Sequence, residues 1–298
     1  MTQAAWSLVQ YMAPGEDAPI LGIGDGALVR LAPPELTGLS VLDVLADWSR
    51  REPLLRHLSI EELPVVTGAT LLPPLIYPNK VLCAGANFYD HAEEMGTARP
   101  DPSAEPFFFL KPPTTTVIGT GAPVPISADP AAGIDWEAEL GVVIADRCKD
   151  VDPEDAPGHI AGYLVSNDVS ARGPFPRPDA VFPAFGWDWL AHKGQDGFCP
   201  IGPGLVPAWL VPDPQALTIR LWVNDTLKQD STTAKMVVGV NELVAAASRL
   251  VTLEPGDIIL TGTPAGVGMP RKDFLSPGDL VTVEIEGLGR ISNRMTAK

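Results

Sequence analysis

The sequence predicts a strand-dominated, mixed α/β fold, with a small α+β domain over residues 1–72 ahead of a larger domain over residues 73–298. Three observations lead to it. Segments with strand character outnumber those with helical character. They do not alternate regularly with helices, which argues against repeated βαβ units. And 32 prolines and 28 glycines are dispersed along 298 residues, as expected of many short strands joined by tight turns. A hydrophobic content of 45% supports a real core, and 19% charged residues is too few for a disordered chain.

Residues 6–11 alternate like a strand, and residues 21–31, with Gly24-Asp25-Gly26 between apolar flanks, read as a hairpin. The Gly22, Gly24 and Gly26 spacing does not match a phosphate loop and no helix follows. Ser40 with Asp43 forms a capping-box pattern opening a helix through Trp48, and a second short helix follows over 53–58. Leu72-Pro73-Pro74 closes this segment. Residues 81–85 are a buried strand; 87–94 have helical character, with Asn87 or Asp90 as the cap. A loop over 96–106 and a strand over 107–110 come next. Strands are expected at 134–144, 160–165, 217–223, 258–260 and 281–286, with an irregular Pro-rich, aromatic stretch at 175–187. Residues 241–251 are the clearest helix, with Leu243, Val244, Ala247, Leu250 and Val251 on one face.

Composition excludes several functions. The net charge of −16 repels nucleic acid and anionic membrane, so neither is expected as a partner. An anionic substrate then needs local positive groups or a metal. Cys83, Cys148 and Cys199 are scattered and odd in number, with no Cys-x-x-Cys, which argues against a disulfide framework and a zinc site. The first ten residues lack the pattern of a signal peptide, and no run approaches the roughly 18 apolar residues of a membrane helix. A cytoplasmic protein is expected.

The chemistry concentrates in residues 134–144. On a strand, Asp135, Glu137 and Glu139 share one face and Trp136, Ala138 and Leu140 the other. The run then turns continuously apolar, so the strand enters a core, where carboxylates stay ionised if a cation holds them. The stretch alone is equally consistent with a solvated acidic face. Asp168, at the end of another strand, is a third candidate ligand. An all-oxygen donor set favours Mg²⁺, Mn²⁺ or Ca²⁺ over zinc or copper. Among the four histidines, His57, His91, His159 and His192, only His91 has an acid, Glu94, three residues on, suited to a base–orienter pair. Lys193 and Arg172 are candidates for holding an anionic substrate or enolate, and Thr261-Gly262-Thr263 offers backbone N–H groups.

Six motifs in order carry a resemblance: C-A-G-A-N-F-Y-D-H-A-E-E (83–94), F-F-F-L-K-P (107–112), D-W-E-A-E-L-G-V-V-I (135–144), G-Y-L-V-S-N-D-V-S-A-R (162–172), K-G-Q-D-G-F-C-P-I-G-P (193–203) and L-T-G-T-P-A-G-V-G (260–268). Over about residues 80–298 the chain resembles the fumarylacetoacetate hydrolase family. The resemblance implies a mixed β-sandwich roll, a homodimer, and one Mg²⁺ or Mn²⁺ held by Glu137, Glu139 and Asp168. It implies that His91 and Glu94 activate water on a lid, that Lys193 lies near the substrate carbonyl, and that Phe88, Arg172 and Thr263 contact substrate. The chain departs from the family pattern after Arg172, where Gly173-Pro174-Phe175-Pro176 replaces an expected Asp-x-x-Gln. A bulkier or more apolar substrate would fit that change.

The expected activity is metal-dependent hydrolysis of a C–C bond in a β-diketo acid such as an acylpyruvate, a small anionic keto acid, giving a 2-keto acid and a carboxylic acid. The alternative uses the same metal-stabilised enolate without attacking water, to decarboxylate an oxaloacetate-like acid or isomerise a 2-hydroxydienoate. A non-catalytic binding protein on the same fold is the least favoured reading, because every candidate catalytic position is filled.

Overall fold

The computed structural model describes residues 6–26 and 28–298. Residues 1–5, half of the stretch read for a leader, and Ala27, in the expected 21–31 hairpin, lie outside the described residues. Among the described residues the fold is the expected strand-dominated mixed α/β one, built on a twelve-stranded and a five-stranded sheet. Across the middle of the larger sheet the order is Ser7–Met12, Cys199–Pro207, Ile160–Asn167, Ala138–Ile144, Ile258–Leu260, Val81–Gly85 and Phe107–Lys111. The smaller sheet runs Thr226–Thr232, Thr218–Val223, Leu280–Ile285, Gly289–Ala297 and Val124–Ile126.

The Ala138–Ile144 strand is buried at every position. Ala138, Leu140, Val142 and Ile144 join a core with Ile219, Leu221, Val281, Val283 and Ile291 of the smaller sheet. Val143, on the opposite face, joins a second cluster with Val41, Val44 and Leu45 of the N-terminal helix. A strand covered on both faces reads as a continuous apolar run, and Val142-Val143-Ile144 does so.

Residues 7–72 extend this architecture. Ser7–Met12 pairs antiparallel with Ile20–Gly24, with Thr70–Leu72, and with Cys199–Pro207 at Leu8 and Leu205. Leu8, Ile23 and Trp48 share the second cluster with Cys83, Leu164 and Ile258. The segment is thus continuous with the larger sheet. The capping box forms as expected: Ser40 Oγ accepts from Asp43 N, and the Asp43 carboxylate accepts from Ser40 N.

Several expectations are corrected. The helix opened by Ser40 covers Val41–Ala46, and the next runs Trp48–Arg56 with Pro53 inside it. The expected single strand over 134–144 is two short ones, Ile134–Asp135 and Ala138–Ile144, because Asp135 Oδ1 accepts from the Trp136 amide and takes the chain out of the ladder. Asn87 and Asp90 do not cap the Tyr89–Glu94 helix. Its N-cap is Phe88, without a side-chain bond. A short helix, Trp189–Lys193, and the strands Cys199–Pro207, Thr226–Thr232 and Gly289–Ala297 add to the expected set.

Candidate active site

The acid residues come together at a paired interruption of two strands. Ala138 opposes Asn167 and Glu139 opposes Ser166, while Ile134 and Asp135 oppose Ala171 and Ser170. Between these ladders the chain is irregular on both sides. Asp168 N donates to the Glu137 carbonyl at 2.8 Å, and Glu137 N donates to Asn167 Oδ1 at 3.0 Å. Glu137 and Asp168 therefore stand opposite each other where the sheet opens, with Glu139 two residues on. Each of the three offers a carboxylate oxygen within 4.8 Å of the others, and all three residues are buried.

Three cations surround the cluster. Lys193 Nζ donates to Glu137 Oε2 at 2.8 Å and to Asp168 Oδ2 at 2.7 Å. Lys111, wholly buried, donates to Asp168 Oδ1 and to the Val169 carbonyl. Arg172 Nη2 donates to Glu137 Oε1 at 2.6 Å, and its Nε donates to Asp135 Oδ2 at 3.0 Å. Burial by itself raises the Glu137 carboxyl, but the Lys193 and Arg172 charges reverse this and hold it well below the usual range. Burial likewise depresses Lys193, and the Asp168 and Glu137 carboxylates outweigh it, keeping the ammonium charged. Glu139 differs: Gly262 N, at 2.8 Å, donates the one hydrogen bond its carboxylate receives among the described residues. Burial, with the Asp168 and Glu137 charges, pushes its carboxyl well above normal. A buried acid with no hydrogen bond from a basic side chain among the described residues, beside two that share Lys193, is a donor set suited to a hard divalent cation.

His91, Arg172, Lys193 and Thr263 line one pocket of about 130 Å³ with the three acids, and Phe109, Phe175 and Trp189 form its aromatic wall. Thr263 Oγ1 donates to the Ala138 carbonyl and accepts from Gln229 Nε2, so its one proton is already committed. Glu94 is not positioned as expected. Its Oε2 lies 3.8 Å from His91 Nδ1, too far for a hydrogen bond, and the buried Nδ1 has no partner among the described residues. Glu94 instead accepts from Gly266 N and Arg271 Nη1, both at 2.9 Å. Phe88 is corrected too: it is wholly buried in the main core, bridged through its backbone to Met236, and is absent from the pocket wall.

Four groups outside the expected site residues help to build the site. Lys111 was legible as the one charge ending an apolar strand. Asp135 accepts from the amides of Trp136, Gly268 and Met269 as well as from Arg172. Asn87 clamps the carbonyls of Val238 and Thr261 through its amide. Gln229 joins the Ala138 amide to Thr263 and Pro264. These last two act over long sequence separations and left no local pattern.

Residues 80–296 match the family described as "Fumarylacetoacetate (FAA) hydrolase C-terminal". The mitochondrial oxaloacetate tautomerase FAHD2B of Bos taurus is 38% identical over 296 residues, which span 97% of this chain and 91% of that protein. The fumarylacetoacetate hydrolase structure from Exiguobacterium antarcticum superposes with a TM-score of 0.83 at 31% identity, over 98% of this chain and 100% of that one. The maleylpyruvate hydrolase of Sphingobium sp. SYK-6, solved with manganese(II) and pyruvate, superposes with a TM-score of 0.75 at 27% identity, covering 98% and 99%. The mitochondrial location of the bovine relative, shared by oxaloacetate tautomerases from Xenopus laevis and Homo sapiens, overturns the cytoplasmic expectation. No helix among the described residues is long and apolar enough to cross a membrane. With its six motifs in order, its sheets and its buried carboxylate cluster, the chain belongs to the fumarylacetoacetate hydrolase family.

Proposed function

We propose that the protein catalyses keto–enol tautomerisation of a small 2-oxo dicarboxylate of the oxaloacetate type, with Glu137, Glu139 and Asp168 holding Mg²⁺ or Mn²⁺. This takes up the enolate chemistry first given as the alternative to hydrolysis. The observation that carries it is the 38% identity to an oxaloacetate tautomerase over 296 residues, spanning the N-terminal segment and the Pro-rich 173–190 stretch as well as the core. The pocket adds support. About 130 Å³ falls below the roughly 300–1,000 Å³ of clefts for drug-sized ligands, which favours a compact acid over a bulky acyl group.

The chain's own groups suit a proton transfer. The bound ion would supply Lewis acidity towards the 2-oxo group. Lys193, held charged between Glu137 and Asp168, stabilises negative charge developing on that oxygen. Arg172, at the same wall, faces the substrate carboxylate. The His91 imidazole, at the pocket wall, takes the proton from C3 of the keto form and returns it at the 2-oxygen, so no water enters the reaction. One observation favours hydrolysis as a second reading: His91 and Glu94 lie one helical turn apart, and rotation of Glu94 off Arg271 would complete a water-activating pair.

The test follows the absorbance of the oxaloacetate enol, and of a panel of acylpyruvates, with Mg²⁺, Mn²⁺ or EDTA, while assaying pyruvate and carbon dioxide. Metal-dependent enol loss with oxaloacetate conserved is expected. Pyruvate and free acid in equal amounts from an acylpyruvate would establish the hydrolase, and carbon dioxide from oxaloacetate a decarboxylase. His91→Ala is expected to slow turnover about 10²–10⁴-fold with metal binding by calorimetry unchanged. Wild-type turnover would remove His91 from the reaction.

A further inference from the structure

A second group of metal-ligating side chains stands away from the carboxylate centre, at the other end of the same strand pair. Beyond Ile144 and Ile160, Ala145 N donates to the His159 carbonyl at 2.8 Å, which brings the two ends of the 145–159 connection together. His159 Nδ1 lies 2.5 Å from Asp146 Oδ1. Cys148 is fixed beside them by two backbone bonds to Leu253, its amide donating at 3.0 Å and its carbonyl accepting at 2.9 Å. A carboxylate oxygen, a thiol sulfur and a ring nitrogen, each from a different residue type, thus lie within 4.8 Å of one another.

The setting favours a cation. Cys148 is 6% exposed, whereas the Asp146 side chain is 56% exposed, so an ion entering past Asp146 reaches a sheltered sulfur. The Asp146, Asp257 and Glu254 carboxylates place negative charge around the sulfur. Arg147 is drawn to Glu254 at 3.3 Å and Lys80 to Asp257 at 2.7 Å, and buried Asp257 Oδ1 has no hydrogen-bond partner among the described residues. An ordinary surface pair would consist of His159 and Asp146 alone. The sulfur beside them converts an ion pair into a mixed O, N, S donor set.

We propose that Asp146, Cys148 and His159 form a second metal site, selective for a borderline divalent ion such as Zn²⁺. Thiolate and imidazole donors prefer such an ion, whereas the all-oxygen centre prefers Mg²⁺ or Mn²⁺. This departs from the expectation drawn from the missing Cys-x-x-Cys, because the ligands converge from positions up to thirteen residues apart. Binding forms a metal–sulfur bond and releases the thiol proton to solvent, without redox change. Three protein ligands leave a fourth position for water. The bound ion would tie together the two ends of the 145–159 connection.

Co²⁺ titration of the full-length, Mg²⁺-loaded protein tests this, because only a sulfur ligand gives a thiolate-to-Co²⁺ charge-transfer band. One equivalent of Co²⁺ with that band, displaced by one equivalent of Zn²⁺, is expected. Cys148→Ala should lose the band while keeping Mg²⁺-supported activity, with Cys83 and Cys199 still present. His159→Ala should weaken Co²⁺ binding tenfold or more. Co²⁺ uptake without the band in the wild type, or a band that persists in Cys148→Ala, overturns the site. Should Cys148→Ala fail to fold, unchanged Co²⁺ affinity in His159→Ala overturns it equally.

Discussion

Lys193 illustrates how a single buried charge sets the balance of the carboxylate centre. Its ammonium bridges Glu137 and Asp168, so Lys193→Met leaves two desolvated carboxylates short of a partner. Removing one member of a buried ion pair typically destabilises by about 3–5 kcal/mol. Denaturant unfolding with EDTA should show that loss, and Mg²⁺ should restore more stability to the variant than it adds to the wild type. Equal Mg²⁺ effects on both would argue against the ion sharing these acids. His192 adds a pH dependence. Its Nδ1–H donates to the Ala171 carbonyl, and Nε2 lies 3.5 Å from Arg172 Nη1. Burial, then the Lys193 and Arg172 charges, push it down to about 3 from the ordinary 6.5. The folded value is the lower one, so the neutral ring's contribution is complete above pH 6.5 and is lost as pH falls towards 3. Between pH 7.5 and 5.0 the wild type should lose about 2 kcal/mol more stability than His192→Gln. Sequence showed Glu137, Glu139, Asp168, Lys193 and His91 as candidates because each sits in a local motif. It did not show where Glu94 points, because the choice between His91 and Arg271 is made by the 266–271 loop, far along the chain.

At the level of elements, the Tyr89–Glu94 helix is docked by its acids. Glu94 holds Gly266 N and Arg271, while Asp90 accepts from Ser231 Oγ at 2.6 Å and Lys235 Nζ at 3.1 Å. These bonds fasten the segment carrying His91 over the pocket. Arg271 is partly exposed, so Arg271→Ala should change global stability by only roughly 0.2–1 kcal/mol. It should nevertheless speed amide hydrogen exchange across residues 88–96 and raise KM. Exchange there as slow as in the wild type would show that the helix is held by its packing alone. Strand character was legible throughout the core because covered strands read as apolar runs. The break at Trp136 and Glu137 was not, since an unbroken strand and two short ones share the same alternation. What separates them is the Asp135 carboxylate turning onto its neighbour's amide.

For the whole molecule, the two-part division read from the sequence meets a larger sheet that crosses it. Residues 7–72 contribute strands beside Cys199–Pro207 and a helix under the acid strand. We expect a 73–298 fragment to expose that apolar face and to be aggregated by size-exclusion chromatography. A soluble, active fragment would show that the catalytic part folds alone. Composition could not reveal this, because short strands and two short helices look alike in a separate domain and in an added layer.

The pairing of Leu8 with Leu205 has a consequence for synthesis. The acid strand and its partner, Ala138–Ile144 and Ile160–Asn167, are close in sequence and can zip up soon after they emerge from a ribosome. Ser7–Met12 gains its Ile20–Gly24 and Thr70–Leu72 partners early, but the strand that pairs at Leu8 follows nearly two hundred residues later. During that interval its hairpin presents an open edge to any other chain nearby, which is the period when chaperone protection would matter most.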